Sequence, residues 1–544
     1  MAELHAASRA RHRRPTALSP FRYAMFRAVW IGTLSANFGQ WVQSVGAAWL
    51  MTIIAPSPDM VALVQAASSL PTLAFALLGG VLADLLDRRL VFIAGQSVML
   101  LAAATLALCG QLGLLTPWGL LFLTFVLGCG SALRLPAYQA LVNDLVPREE
   151  VPGAVALNSA GFNLARSTGP ALGGSIVAAA GAQAAFLFNA VSNLLIILVL
   201  VFWRRRQRPQ LLPREGIAGA MIAALRYAGQ ERTTQAVLLR VGVFGTLAIS
   251  SWALLPLIAK EELSGGPVTY GLLLGSLGFG ALFGAAAMAW LRRTIGTEAT
   301  VTAAMIVFGA VTASLALLST LIPVMLVLTL GGAAWLLTMS SFNVVIQMSA
   351  PGWVKARALA VYYTAMFGGM ALGSWFWGRV AAQSSVDLAL LVSGAGIIAA
   401  ALLGRRFPLP ESAGLDLRPA RTWPKPQVAL DFDPAEGPVL VTIEYLVPRE
   451  RAADFVAAMD GLRRIRRRDG ALHWELYEDV ARPERWLETF TLGSWLEHLR
   501  QQERTTVADA AIEARARAFH TGAAPPAIST LIVHRPGRSD VGRF

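Results

Sequence analysis

A few polar residues stand in this sequence where apolar neighbours on both sides leave them no water. Arg134 and Arg166 each interrupt a run of small and aliphatic residues, and Asn163 precedes Arg166 by about one helical turn. Asn37, Gln40 and Ser44 recur at helical spacing in one apolar run, and Asn343 and Gln347 do so in another. A guanidinium in such surroundings can hold an oxyanion through charge-assisted hydrogen bonds, so an anionic or catecholate-like ligand suits Arg166 and, with it, Arg134. The amides could line the same cavity, but hydrogen bonds between helices explain them equally. Arg134 lies towards one end of its run and can snorkel to the headgroups. Arg240 lies close to the start of another run and is expected to do so.

Other chemistry is missing. No Asp or Glu falls in the middle of an apolar run, so no carboxylate is placed for proton coupling. The six histidines avoid residues 13–472, and the two cysteines, Cys109 and Cys129, read as buried inert thiols. No catalytic residue, metal site, cofactor or nucleotide-binding P-loop is expected, and the chain is not read as an enzyme.

The elements that must carry these residues follow from composition. The 544-residue chain is 55% hydrophobic and 15% charged, with a net charge of +13. Charge is divided unevenly: residues 1–404 hold 25 Lys/Arg and 13 Asp/Glu, residues 405–544 hold 21 and 20. The first part is suited to lipid and the second to water. Twelve apolar runs are near the length of a membrane helix: 28–53, 60–83, 90–110, 117–138, 152–180, 184–203, 236–259, 268–290, 299–319, 321–346, 357–381 and 386–404. We number them as spans one to twelve. Basic residues collect in alternate loops, notably Arg88–Arg89, Arg204 to Arg208, Arg292–Arg293 and Lys355–Arg357. The positive-inside rule then puts both termini in the cytoplasm, with Lys260 and Arg379 on the far side. The basic excess is thus orientation beside a lipid bilayer, and no nucleic-acid partner is expected. The expected organisation is a cytoplasmic arm (1–27, read as retained), a six-helix bundle (28–203), a cytoplasmic central loop (204–235), a second six-helix bundle (236–404), a linker (405–437), a small soluble domain (438–536) and a tail (537–544).

The two halves echo each other. Gly80, Asp84, Asp87, Arg88 and Arg89 follow span two, and Gly284, Met288, Arg292 and Arg293 follow span eight. Span five contains Gly169-Pro170-Ala-Leu-Gly173-Gly174, and span eleven contains Gly369-Met-Ala-Leu-Gly373-Ser374. Duplicated six-helix halves are a transporter architecture with the substrate near mid-membrane between the repeats.

Gly80 to Arg89 resembles the loop signature of the major facilitator superfamily, and the Gly169–Gly174 run is similar to that of its exporters, although Ala165 stands where those carry a further glycine. Asn37-Phe38-Gly39-Gln40-Trp41, the stretch from Leu135-Pro136-Ala137 to Val146-Pro147-Arg148-Glu149-Glu150, and Ser494-Trp495-Leu496-Glu497-His498 together resemble its enterobactin-exporter-like, transmembrane secretion effector branch. The resemblance implies an all-α membrane fold of twelve helices. Gly80, Asp84, Asp87, Arg88 and Arg89 would form a conformational latch, and Gly169, Pro170, Gly173 and Gly174 a packing hinge. It also implies export of a small molecule, siderophore-like or a secondary metabolite, by proton antiport across a bacterial cytoplasmic membrane. A broad-specificity drug efflux pump is the alternative within transport. A membrane-anchored sensor or enzyme acting through the C-terminal domain is the alternative of another class.

The tail reads as strand 439–447, basic amphipathic helix 451–468, strands 472–478 and 486–492, one or two helices over 494–519, and strand 528–534. That order predicts a ferredoxin-like α+β domain. It is similar to the dimeric α+β barrels of the antibiotic-biosynthesis monooxygenase type, so a homodimer through this domain is the partner expectation.

Overall fold

The computed structural model describes residues 18–85, 87–203, 217–410, 416–418, 420 and 432–533. They divide into two compact units. The first comprises Met1–Arg214, Leu238–Asn343 and Tyr362–Pro410, and the second Glu215–Val237, Val344–Val361 and Glu411–Phe544.

The first unit is helical throughout. Its elements are α1 (Ala24–Ile54), α2 (Pro58–Leu85), α3 (Arg88–Gln111), α4 (Pro117–Leu145) and α5 (Val151–Val201). After α6 (Ile217–Gln230), which belongs to the second unit, come α7 (Arg232–Ala248), α8 (Pro267–Ser314), α9 (Leu321–Ser349), α10 (Lys355–Gln383) and α11 (Val386–Ala401), with the start of α7, the end of α9 and the start of α10 falling in the second unit. Among the described residues, seven helices are long and apolar enough to cross a membrane. Large apolar side chains face outward, such as Trp118 at 70% exposure and Ile322 at 71%, which suits a lipid surround rather than water.

Two helices are far longer than one crossing needs. α5 has 51 residues and α8 has 48, and each is interrupted by one glycine of positive φ: Gly181 (79°) in α5 and Gly296 (82°) in α8. Only glycine takes that conformation without strain, so each long helix reverses there and carries two of the expected apolar runs. The residues of span seven form one stretch, Arg232–Glu262, long and apolar enough to cross a membrane, but it is irregular inside: α7 ends at Ala248 and runs on through short helical turns at Ser250–Ala253 and Leu255–Leu257 and a π-helical turn at Ile258–Glu262. Pro256 cannot donate a backbone hydrogen bond, and the hydroxyls of Ser250 and Ser251 bond Ser393 (2.7 Å) and Thr312 (2.8 Å) across the interior.

The sequence repeat is a packing repeat. A methyl placed on Gly169 would lie 2.8 Å from Cβ of Trp41, and one on Gly173 3.0 Å from Cα of Val42. Span five therefore rests directly on span one. In the second half, a methyl on Gly369 would lie 2.5 Å from the Gly242 carbonyl oxygen, and Gly373 packs on Thr246, so span eleven rests on span seven in the same way.

The second unit contains α6 and a small α+β fold. Strands β1 (Val439–Leu446), β2 (His473–Glu478), β3 (Arg485–Leu492) and β4 (Ala527–Ile532) form an antiparallel sheet in the order β2-β3-β1-β4. Helix α12 (Ala452–Asp469) follows β1, and α13 (Trp495–Arg504) and α14 (Val507–Arg517) follow β3. This is the ferredoxin-like order. Val439, Val441, Ile443 and Tyr445 alternate into a core with Phe455, Met459 and Leu462 of α12. Two arginines of the basic helix also go inside. Arg466 reaches Glu488 (3.2 Å) and Glu513 (3.1 Å), while Arg468 reaches Asp469 (2.8 Å) and Asp509 (2.7 Å). Burial opposes the charge on Arg466, but Glu488 and Glu513 outweigh it and hold its affinity for the proton above normal. Tyr445 and Trp474 each donate to Glu488 at 3.0 Å, completing the network.

His498 is buried on α13, with Nε2 3.1 Å from Nε2 of Gln502 and no partner for Nδ1. Desolvation lowers its pKa to about 4. The unfolded chain takes up this proton first, near the ordinary histidine value of about 6.5, so the contribution of His498 to stability falls with pH below that point and levels off below the folded value. Thermal melts followed by tryptophan fluorescence should show His498→Leu losing less stability than the parent between pH 7 and pH 5, by about 1–2 kcal/mol. Identical pH slopes for the two proteins would contradict this.

Candidate functional site

The buried polar residues of the first unit are brought together in part. Arg134 extends from α4 to α1, where Nη1 donates to Oδ1 of Asn37 (3.3 Å) and Nη2 to Oε1 of Gln40 (3.1 Å). Gln40 in turn donates to the Ser131 hydroxyl, one turn from Arg134, at 3.5 Å. The backbone allows this because α3 meets α4 at glycines: a methyl on Gly95 would lie 2.8 Å from the Gly130 carbonyl oxygen and 3.1 Å from the Arg134 nitrogen. Arg134 is 7% exposed, and its Nε is buried without a partner. Its side chain therefore does not snorkel to an aqueous end. It stays inside, fixed at its tip by two amides and without a counter-charge among the described residues.

Arg166 is half-buried on α5 and has neither hydrogen bond nor ion pair among the described residues. Asn163 does not supply one, because its amide returns to the Ser159 carbonyl of its own helix (2.9 Å). The backbone at Arg166 is itself a packing point, since a methyl on Gly278 of α8 would lie 2.5 Å from the Arg166 carbonyl oxygen. One turn further along α5, Gly169 rests on Trp41, the neighbour of Gln40, so α1 touches the helices that carry both arginines. Asn343 and Gln347 do not join them. Asn343 donates to the Tyr363 hydroxyl (3.3 Å), and Gln347 is exposed and falls in the second unit.

The loop signature is visible in part. The surroundings of Gly80 and the side chain of Asp84 lie outside the described residues. Asp87 caps α3 by accepting from the Arg89 nitrogen at 2.9 Å. Arg89 spans to the last turn of α5, donating to the carbonyls of Leu200 and Val201 at 2.8 Å each. Both carbonyls belong to the last turn of α5, its negative end, where a guanidinium is well matched; the Leu200 carbonyl also accepts from the Trp203 nitrogen at 3.2 Å. In the second copy, a methyl on Gly284 would lie 2.6 Å from the Ala333 carbonyl oxygen, and Arg292 turns back to the Thr297 hydroxyl. In span five, Gly174 meets α8 where Gly169 and Gly173 meet α1: a methyl there would lie 2.5 Å from the Pro267 carbonyl oxygen and 3.2 Å from Gly271.

Three features go beyond the sequence reading. Arg240 does not snorkel. It is fully buried, pairs with Glu298 at 2.7 Å, donates to the Phe407 carbonyl at 3.2 Å and stacks on Phe342. Glu298 also accepts from the Leu409 nitrogen (2.9 Å) and the Thr302 hydroxyl (3.1 Å). The partners come from three separated segments, so no local pattern announces them. Trp252 and Trp335 pack on each other, 4.3 Å between centroids, with Phe244 and Phe308 around them. At the end carrying Asp59, finally, α10 closes on α2. A methyl on Gly378 would lie 2.6 Å from Ala62 Cβ, Arg379 stands 3.6 Å from Asp59, and Lys260 donates to the Thr52 carbonyl.

A family model described as "Transmembrane secretion effector" matches residues 15–537. The MFS-type transporter YfiS of Bacillus subtilis is 28% identical over 31% of this chain and 40% of its own length. The staphyloferrin A transporter of Staphylococcus aureus is 26% identical over 30% of this chain and 41% of its own. The chain thus spans about two fifths of these two relatives. The multidrug efflux pump Tap of Mycobacterium tuberculosis is 23% identical over 72% of this chain and 95% of its own length. A POT family transporter in complex with 5-aminolevulinic acid shares the fold, with a TM-score of 0.59 at 12% identity over 72% of this chain and 96% of that one. So does an inward-facing, occupied bacterial homologue of the human lysosomal transporter Spinster, at 0.58 and 11% over 72% and 98%.

Removing one partner of the Arg240 pair strands a charge inside the helices. Glu298→Ala should destabilise the protein by about 3–5 kcal/mol. A combined Arg240→Leu and Glu298→Leu variant should recover most of that loss, as read by thermal melts in detergent. A double variant no more stable than Glu298→Ala alone would contradict the assignment.

Proposed function

We propose, from the premise that this chain belongs to the transmembrane secretion effector family of the major facilitator superfamily, that it exports a small anionic organic molecule by alternating access. The observation that carries the reading is the pair of arginines in the helices that have no counter-charge among the described residues. An isolated guanidinium is costly in a helix bundle and persists where a ligand supplies the missing anion. Arg134 is oriented by Asn37 and Gln40. Arg166 has no partner among the described residues. The similarity to a staphyloferrin A transporter and a multidrug efflux pump supports a small-molecule cargo.

In this reading the chain crosses a bacterial cytoplasmic membrane twelve times with both termini inside. The closure through Asp59, Arg379 and Lys260 then lies on the outer face, which makes the described arrangement inward-facing. Gly169, Pro170, Gly173 and Gly174 form the hinge on which span five packs against spans one and eight. Gly80, Asp84, Asp87, Arg88 and Arg89 form the latch at the inner end of the first half, where Arg89 ties span three to the end of span six. Coupling is to the proton gradient. A broad drug efflux pump is the competing reading, and its cargo would not depend on these arginines.

The test uses inside-out vesicles with an imposed pH gradient and two probes, the anion carboxyfluorescein and the cation ethidium. Uptake of carboxyfluorescein should collapse with the gradient, and Arg166→Ala or Arg134→Ala should lower it about tenfold or more, the scale of a lost charged hydrogen bond. Undiminished uptake by both variants, at equal protein in the membrane, would sink the anion reading. Transport of ethidium alone would favour the drug pump.

The same reading gives the C-terminal domain a second copy as partner. Leu446, Tyr477 and Leu531 lie on the sheet face opposite the core and are exposed. Amine crosslinking in membranes should trap a dimer that Leu531→Asp abolishes. A monomer under all conditions would contradict it.

A further inference from the structure

The second unit joins the small α+β fold to two segments that lie far from it in sequence. One is α6, the helix of the central loop. The other is the turn between α9 and α10, Ser349 to Trp353. Helix α6 packs on α12. It is buried along one face, through Ala223, Ala224, Tyr227 and Ala228, and exposed at Ile222 and Leu225 on the other. Tyr227 then links the loops to each other: its hydroxyl donates to the Ser349 carbonyl at 3.1 Å, and its ring meets Trp353 edge-on, 6.1 Å between centroids.

Trp353 is in turn the seat of a cation from the C-terminal fold. The Arg504 guanidinium lies 4.7 Å from the Trp353 ring centroid. It is held there by the Asp469 carbonyl (2.7 Å) and the Glu497 carboxylate (3.2 Å). Arg226 of α6 converges on the same place. A methyl on Gly470 would lie 3.3 Å from Nη1 of Arg504 and 3.5 Å from Nη1 of Arg226. Gly470 has a φ of 138°, which ends α12 there and leaves the space open. Two like charges so close are balanced by the carboxylate of Glu497, which acts on Arg226 as well as on Arg504.

This junction differs from the core of the α+β fold. Its contacts are one cation on one aromatic face, one tyrosine edge, a few alanines and a shared carboxylate. Such contacts are individually worth little, so they can open and close without unfolding either side. Helices α9 and α10 continue from the turn that they hold, and α7 starts two residues after α6. A module gripping these points restrains the segments that a rocking transporter must move.

We propose that the C-terminal domain is an intramolecular clamp on the central-loop helix and the α9–α10 turn, seated by Arg504 on Trp353, and that the clamp slows transport until it opens. The braking effect rests on the transport reading; the clamp itself does not. Both are tested in full-length protein in inside-out vesicles, with Cys109 and Cys129 replaced by serine and Ala224→Cys introduced on the buried face of α6. Labelling by a sulfonated maleimide reports release. Trp353→Leu and Arg504→Gln should each speed labelling about fivefold. The double variant should do no more than the larger single, because both remove one contact. Trp353→Phe should behave as the parent: it keeps an aromatic face, and the indole nitrogen has no hydrogen-bond partner to lose.

Carboxyfluorescein uptake in the same vesicles should rise with labelling in Trp353→Leu and stay at the parent rate in Trp353→Phe. Labelling unchanged by both Trp353→Leu and Arg504→Gln would overturn the clamp. Faster labelling with unchanged or slower uptake would overturn its role as a brake. If parent vesicles take up no more dye than empty ones, the export reading fails, and with it the brake, while labelling still decides the clamp.

Discussion

Lipid offers no hydrogen bond, and most of the first unit follows from that one deficit. Every polar group carried into the helices has to be met by another part of the chain or by a ligand. Serine and threonine hydroxyls bond the carbonyls of their own helices, as Thr246, Ser276 and Ser374 do. Amides find one another or an arginine. Arg240 finds Glu298, and Arg89 finds the carbonyls of the last turn of α5. Some buried groups are left unmet, both polar atoms of the Gln96 side chain among them, but Arg134 and Arg166 stand out as cations to which no carboxylate comes among the described residues, and the proposed cargo takes its charge from theirs.

The same deficit explains why glycine, rather than leucine, decides how the helices meet. Hydrocarbon side chains gain little by leaving lipid for each other, so association depends on close backbone approach. The repeated Gly-x-x-x-Gly spacing on spans five and eleven does the same work in both halves, one against span one and the other against span seven. Gly174 has no glycine counterpart in the repeat, since Ser374 stands there, and it is Gly174 that makes contact across the halves with Gly271. The duplication thus accounts for packing inside each half, and contacts between the halves rest on positions outside the repeat, Gly174, Gly278 and Gly378 among them.

What could be read in the sequence was whatever depends on composition over a window or on spacing within a helix. The apolar runs, the glycine pairs and the alternation of the C-terminal strands all have that character, and so does the ferredoxin-like order. What could not be read depends on partners distant in the chain. Arg240 near the start of a run looks like a snorkelling residue until Glu298, Phe407 and Leu409 arrive from elsewhere. Arg466 and Arg468 are two positions among many in a basic helix, and only the tertiary arrangement of Glu488, Glu513 and Asp509 singles them out. The irregularity inside span seven had a local signal, Ser250-Ser251 followed by Pro256. Arg134 was legible as an intramembrane cation and not as a fixed one, because Asn37 and Gln40 lie almost a hundred residues away.

The Arg240 pair bears on how the protein is made. Residues enter the bilayer in chain order, so span seven arrives with a buried cation before Glu298 has been synthesised, and the carbonyl of Phe407 follows more than a hundred residues later. Until then the guanidinium has no counter-ion in hydrocarbon. The buried seat of Arg240 is therefore available only once Glu298 and residues 407–409 are in place, which ties the start of span seven to the start of span nine and to the chain just past the final span.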